Sequence, residues 1–317
     1  MRKVFFKVII FFCCLGVCAC AHAEDFDMDN YRIYWVDTDD TDKDKGSIMV
    51  SDCNGASRFV ANIGYGYLLE GNTENDVYYA VMRDENRWDI CRIGADSPII
   101  TLVDSDIVRI LAYQGETVYY IASKHDEPIL ISLNSDNEIQ YYPYGKYAEE
   151  FSLSVSGEDV WDDSRIGRIW YSTTVSEDGK IAYCIEDYTP WVKANSSIYV
   201  TTSNQADIYI DEGSQPAWLD GNSLLYIGTD SKLYRYSVIE GTSQLYVSAT
   251  GKGIAIPAVN PIERMIVIDK AHIGYIQMYD EQNRLTLLSL RTGEIHTVDE
   301  VNPLYFMDAI VRITSAG

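Results

Sequence analysis

The feature that most constrains this chain is a short apolar strand, usually with an aromatic residue at its centre, that keeps returning at a near-constant interval. It reads Ile33-Tyr34-Trp35-Val36, Val77-Tyr78-Tyr79-Ala80, Val118-Tyr119-Tyr120-Ile121, Ile181-Ala182-Tyr183-Cys184, Leu224-Leu225-Tyr226-Ile227 and, without an aromatic, Met265-Ile266-Val267-Ile268. The third residues lie 44, 41, 63, 43 and 41 positions apart. A recurrence of this length marks a supersecondary unit that cannot bury its own apolar faces and must stack on a neighbour of the same kind. Tyrosine, at 25 residues, supplies most of the aromatics, and with Val, Ile and Thr it favours a pleated surface. Apolar residues at 47% and charged residues at 23% suit a folded chain with a real core.

Three more strands group around each recurrence. A following strand is expected at 48–51, 90–93, 129–133, 198–202, 233–237 and 285–290, and an outer one at 58–60, 99–102, 139–142, 208–210, 244–247 and 295–298. A preceding strand is expected at 67–69, 107–111, 169–172, 216–219 and 254–257. Turn residues such as Asn54-Gly55, Glu240-Gly241 and Thr292-Gly293 punctuate the runs. Four antiparallel strands per unit, repeated radially, predict an all-β, six-bladed β-propeller. The first unit lacks its innermost strand, and Leu304-Tyr305-Phe306-Met307 is expected to supply it, closing the ring by pairing into the first blade. One domain over 24–317 follows, with an insertion at 144–166 between the third and fourth blades that accounts for the long interval.

Two of the repeats carry more than a pattern. Ser176-Glu177-Asp178-Gly179-Lys180-Ile181-Ala182-Tyr183 resembles the repeat of the TolB-type (WD40-like) propellers, in which a Ser-Pro-Asp-Gly turn leads into an apolar strand. Gln215-Pro216-Ala217-Trp218-Leu219-Asp220-Gly221-Asn222, followed by Leu224-Leu225-Tyr226-Ile227, is similar to the same repeat with its Pro-x-Trp element intact. Glu177 and Leu219 depart from it. Asp-Gly suits a tight hairpin and Trp suits packing between blades. The resemblance implies an extracytoplasmic protein that docks protein or peptide partners on one face.

The N-terminus agrees with export. Arg2, Lys3 and Lys7 precede an apolar run from Val8 to Ala21, and Ala21-His22-Ala23 precedes Glu24, so residues 1–23 read as a signal peptide cleaved after Ala23. The alternative is a lipoprotein box, Val17-Cys18-Ala19-Cys20, with Cys20 as the lipidated residue. Secreted, periplasmic and lipid-anchored locations all lie outside the cytoplasm. The 14-residue run is too short to span a bilayer, and no transmembrane segment is expected. Loss of the signal removes three basic and no acidic residues, which takes the charge from −23 to −26. Such a chain repels polyanions, so nucleic acid is not an expected partner and a basic protein is. Of the cysteines outside the signal, Cys91 and Cys184 sit in apolar strand patterns and read as buried hydrophobes. Together with Cys53 they are odd in number and share no metal-like spacing.

In an antiparallel blade, the connections after the second and fourth strands share one end of the ring. That end is expected to hold the long loops, 37–46, 186–196 and 269–283, together with the insertion. Binding residues usually sit on such loops. The aromatics there, Trp161, Tyr188, Trp191, Tyr275 and Tyr279, are the candidate ligand contacts, with His125 beside them. His272 belongs to the same set of loops and reads, like His125, as a surface histidine. Calcium is the only cofactor the acidic run from Asp37 to Gly46 suggests, but with Asp40, Asp42 and Asp44 as first ligands Lys45 would stand where glycine is needed. No cofactor or metal is therefore expected. No Gly-x-Ser-x-Gly elbow is present. A carboxylate-dependent propeller enzyme of glycosidase or lactonase type stays open as the alternative, as does a carbohydrate or cell-wall binder. The expected function is a monomeric, non-catalytic binding module.

The mass of the protein from its native host separates the two processing routes. A chain beginning at Glu24, or at Cys20 with a diacylglyceryl group, agrees with export, and an intact Met1 terminus contradicts it.

Overall fold

The computed structural model describes residues 31–39, 42–52, 57–69, 76–84, 86–103, 106–124, 127–142, 173–186, 196–256, 262–279, 282–298 and 309–313. The expected signal, Cys53, the 144–166 insertion and the proposed closing strand at 304–307 lie outside these residues.

All described regular structure is strand. The first sheet takes β1 (Tyr31–Asp39), β2 (Asp42–Asp52) and β3 (Ser57–Gly64). The second takes β4 (Gly66–Leu69), β5 (Tyr78–Asp84), β6 (Arg87–Arg92) and β7 (Ile100–Val103). The third takes β8 (Ile107–Gln114), β9 (Thr117–Lys124), β10 (Glu127–Asn134) and β11 (Ile139–Tyr141). A seven-stranded sheet follows: β12 (Thr174–Val175), β13 (Ile181–Glu186), β14 (Ser196–Thr202), β15 (Gln205–Asp220), β16 (Ser223–Gly228), β17 (Leu233–Ser237) and β18 (Thr242–Leu245). The last sheet holds β19 (Ile262–Val267), β20 (His272–Tyr279), β21 (Gln282–Ser289) and β22 (Ile295–Val298). The final strand, β23 (Ala309–Ile313), pairs antiparallel with β1, from Tyr31↔Ile313 to Trp35↔Ala309. Neighbouring strands within each sheet are antiparallel throughout, and the arrangement is that of a β-propeller.

Three expectations need correction. Four sheets have four strands, but the expected fourth and fifth blades form one seven-stranded sheet, because the 16-residue β15 pairs with β14 through its first half and with β16 through its second. The strand that joins the first sheet is 309–313 rather than 304–307. In the last sheet the expected second strand, 265–268, falls in the edge strand β19, and the segment read as a loop, 269–283, is largely the hairpin of β20 and β21. Of the expected strand 254–257, the described residues 254–256 are held instead by a single bridge and main-chain bonds to the seven-stranded sheet, such as Lys232↔Ala255 and Ile256 N–H to the Ser231 carbonyl at 2.9 Å.

The strands are apolar on both faces because sheets cover both. In β13, Ile181, Tyr183 and Ile185 pack toward the third sheet while Ala182 packs the other way against Trp218 and Tyr226. Six apolar clusters arise in this way among the described residues. They join first sheet to second, second to third, third to the β12–β15 half of the long sheet, that half to the β15–β18 half, that half to the last sheet, and last sheet to first. Each holds one aromatic from the second strand of the later of its two sheets or half-sheets: Tyr79, Tyr120, Tyr183, Tyr226, Tyr275 and Trp35 in turn. Four of them hold an alanine of the preceding sheet with it, Ala80 with Tyr120, Ala112 with Tyr183, Ala182 with Tyr226 and Ala217 with Tyr275. A large ring and a small partner let two pleated faces approach closely, and each ring so buried contributes about 1.5 to 3 kcal/mol. Cys91 and Cys184 are buried and outside any disulfide, and the Cys184 thiol lies 3.4 Å from the Gly213 carbonyl oxygen.

Removing residues 309–317 strips β1 of its inner partner from Tyr31 to Trp35. The shortened chain should melt at a lower temperature and self-associate through the freed edge. A monomer with unchanged melting, by calorimetry and light scattering, would show that this pairing contributes nothing.

Candidate functional site

Strand pairing shows how the two ends of the sheets differ. At the end that holds the connections after the second and fourth strands, several hairpins run past their neighbours as two-stranded arms. β1 and β2 stay paired through Thr38↔Gly46 to Asp39↔Asp42, whereas β23 stops at Trp35 and β3 begins pairing at Gly46. β9 and β10 pair out to Lys124↔Glu127 although β8 reaches only Ala122. β20 and β21 pair out to Tyr279↔Gln282 although β19 reaches only Gln277. The acidic run 37–46 is therefore mostly a hairpin arm rather than a long loop.

The expected contact residues fare unevenly. Tyr275 is not a loop residue: it sits in β20 with 1% exposure, its hydroxyl hydrogen-bonded to Thr286, and burial pushes that hydroxyl up to about 12. It is a core ring, because the segment around it, and not 265–268, is the second strand of the last sheet, paired on both sides. Tyr279 also lies in β20, at the tip of an arm. Trp161, Tyr188, Trp191 and His125 lie outside the described residues. His272 opens β20 at the opposite end of the sheet from the arms, and its Nδ1 is 2.9 Å from the Asp269 carboxylate. Burial would raise the Asp269 carboxyl, but the bonds from His272 and the Ala271 amide hold it below the usual range. Among the described residues no group of three or more His, Cys, Asp or Glu side chains could hold a metal, and no helix is long and apolar enough to cross a membrane.

What the structure does bring together at the arm-bearing end is a group of rings and one guanidinium around the start of β4 and β8. The chain crosses from β3 into β4 through Tyr65 alone. Gly66 makes that crossing possible, since a Cβ there would stand 2.4 Å from the Ala80 carbonyl oxygen. Tyr65, half exposed, lies 6.1 Å from Trp88, and Trp88 lies 5.7 Å from Tyr67, both ring pairs tilted. Tyr67 accepts a hydrogen bond from the Ile110 amide at 2.7 Å, and burial pushes its hydroxyl up to about 12. The Arg109 guanidinium stands 5.6 Å over the Tyr67 ring, a cation–π contact between the second and third sheets.

On the other face of the second sheet lies the only acidic side chain that is buried among the described residues, Asp89. Its Oδ1 accepts from Thr101 Oγ1 at 2.7 Å and lies 3.4 Å from an Arg87 Nη, and its Oδ2 accepts from Arg83 Nε at 2.8 Å. Burial alone would raise this carboxyl, but the bonds from Thr101 and Arg83 and the two guanidinium charges hold it below the usual range. Reading loops for function overlooks both groups, because they sit on strands. The available signal is charge inside an apolar run: Arg109 in Ile107–Gln114, and Asp89 in Arg87–Arg92.

At the opposite end the turns are stabilising devices. Ser176 Oγ donates to Asp178 Oδ1 at 2.7 Å and accepts from the Lys180 amide at 2.8 Å, while Lys180 Nζ reaches the Gly221 carbonyl of the next turn at 2.9 Å. Tyr142 Oη ties the third sheet to the same turn through the Gly179 carbonyl at 3.0 Å.

No protein-family model matches the chain, and no curated protein matches it significantly in sequence. In structure it is similar to TolB from Acinetobacter baumannii, with 12% identity and a TM-score of 0.52 over 90% of this chain and 66% of that one, so it spans just under two thirds of that chain's length. It is also similar to a chain of a nidogen/laminin complex, at 9% identity and a TM-score of 0.49 over 90% of this chain and 99% of that one. The WD40 β-propeller domain of Doa1 matches at 9% identity and a TM-score of 0.47 over 87% of this chain and 82% of that one. At such identities the likeness to TolB bears on the fold alone.

Because Asp89 is held below its ordinary 3.8, the stability it contributes is complete above that value and is lost as pH falls through the lower folded value. Asp89→Asn should cost about 1 to 3 kcal/mol at neutral pH. It should also flatten the decline of melting temperature below about pH 4. Equal acid sensitivity in calorimetric melts of the two proteins would contradict this.

Proposed function

We propose that the protein is an extracytoplasmic binding module, a six-bladed propeller whose seven-stranded sheet is two blades sharing β15, with a ring closed by β23. Six apolar clusters that run from sheet to sheet and return to the first support the blade count and the closure. The leader-like N-terminus and the resemblance of two repeats to the TolB type support a location outside the cytoplasm.

The observation that carries the binding reading is the group Tyr65, Tyr67, Trp88 and Arg109. Tyr, Trp and Arg are the residue types that dominate binding energy at protein interfaces, where a rigid ring supplies area at small entropic cost. Here Trp88 and Tyr67 are packed from below and fix Tyr65 at the surface, beside arms that enclose the same end of the ring. Tyr279 ends β20 at the tip of an arm, and in this reading a protein or peptide partner would engage it and the expected contacts Trp161, Tyr188 and Trp191, which lie outside the described residues, together with Tyr65. Binding rather than catalysis fits the titrating groups as well. Among the described residues the carboxyls that depart from ordinary values, Asp89, Asp178, Asp230 and Asp269, are all held low and ionised, whereas a general acid needs the reverse.

The test is a cross-linked capture from the envelope of the native host, followed by titration of the purified partner. Tyr65→Ala, Trp161→Ala and Trp191→Ala should each weaken binding by about 1 to 2 kcal/mol, or roughly tenfold, with little change in melting. Asp178→Ala should lower melting and leave affinity unchanged. Full affinity in all three aromatic variants would overturn the reading.

A further inference from the structure

We infer that the arm-bearing end of the second sheet holds an oxyanion subsite, in which the guanidiniums of Arg83 and Arg87, aligned by the buried Asp89, receive a carboxylate or phosphate group. The proposal is independent of the Tyr65 group, since Asp89 and Trp88 are neighbours in β6 and face opposite sides of the sheet.

The charge count is unequal. Two guanidiniums converge on one carboxylate, and neither has another ion-pair partner among the described residues. The Asp84 carboxylate, next in the chain to Arg83, turns instead to the Asn86 amide at 3.0 Å. The Cys91 thiol also lies against Arg83, but burial pushes its pKa up, so it stays neutral and offsets no charge. One full positive charge is left over at this spot of a strongly acidic chain.

The donors are also left over. Arg83 engages Asp89 through Nε and Arg87 through one Nη, while their side chains remain 48% and 47% exposed. A guanidinium has five N–H donors in a rigid plane, so both arginines keep N–H groups at the surface in orientations set from beneath. Asp89, 3% exposed and also bound by Thr101, cannot swing out to compete with an incoming anion. A buried carboxylate is a poor device for stability alone, because well-packed apolar residues of the same volume usually do as well or better. As a positioning residue it has a purpose: it holds two forks side by side, the arrangement that recognises a carboxylate or phosphate through paired hydrogen bonds.

The test titrates the full chain with inorganic phosphate and, separately, with acetate, at constant ionic strength, by calorimetry. Saturable binding of either anion is expected, and whichever binds more tightly names the natural group. Arg87→Gln should weaken it at least tenfold without changing the anion-free melting temperature. Arg92→Gln, which removes an equally exposed arginine paired with Asp76, should leave it unchanged. Asp89→Asn should weaken it although both arginines remain, and if that variant fails to fold, the contrast between Arg87→Gln and Arg92→Gln still decides. No saturable binding of either anion, or equal binding by the Arg87 and Arg92 variants, overturns the proposal.

Discussion

Everything in this fold depends on face-to-face packing between successive sheets. A single four-stranded sheet of this chain is apolar on both sides and would expose both to water, so no unit is stable alone. Stacking resolves this for interior sheets, and in the closed ring proposed above the cluster that holds Leu285, Leu287 and Ile276 of the last sheet with Ile33 and Trp35 of the first would resolve it for the terminal ones. In four of the six clusters a second-strand aromatic shares the core with an alanine of the preceding sheet, and a ring set against so small a partner fixes both spacing and register.

That constraint explains how the proposed binding groups are built. With cores filled between sheets, polar chemistry is confined to the sheet ends and to strand positions near them, where a ring or a carboxylate has support on one side and solvent on the other. Tyr65 stands at a crossing so short that only glycine fits beside it, and Asp89 sits close enough to a hairpin for two arginines to reach it. Rigid support of this kind lowers the entropic cost of binding.

Much of the architecture could be read from residue order, because five of the six aromatic-centred strands are continuous apolar runs flanked by turns. The sixth was missed for a physical reason. Met265-Ile266-Val267-Ile268 is the more apolar segment, but it is the edge strand, while His272-Ile273-Gly274-Tyr275 has a polar start and a glycine and so imitates a loop. Tyr275 itself was the better guide, since an aromatic at the third position was the rule everywhere else. The shared strand β15 was hidden by Gly213 and Pro216, which look like a break but occupy an irregular pairing where Gln215 takes a φ of 53°. For the proposed binding groups, attention to loops singled out Tyr and Trp in the connections and passed over the rings and charges carried on strands. Charged residues inside apolar strands, Asp89 and Arg109, were the legible clue.

The central claim is that the first and last sheets cover one another as the interior sheets do. Hydrogen exchange on the intact protein, resolved to single strands, tests it most directly. Amides of Ile33 to Val36 and of Leu285 to Leu288 should exchange as slowly as those of Ile181 to Ile185 and Leu224 to Ile227, because all would open only on global unfolding. Fast exchange in the first and last sheets beside slow exchange in the seven-stranded sheet would mean that the terminal sheets stand uncovered, and would contradict the account.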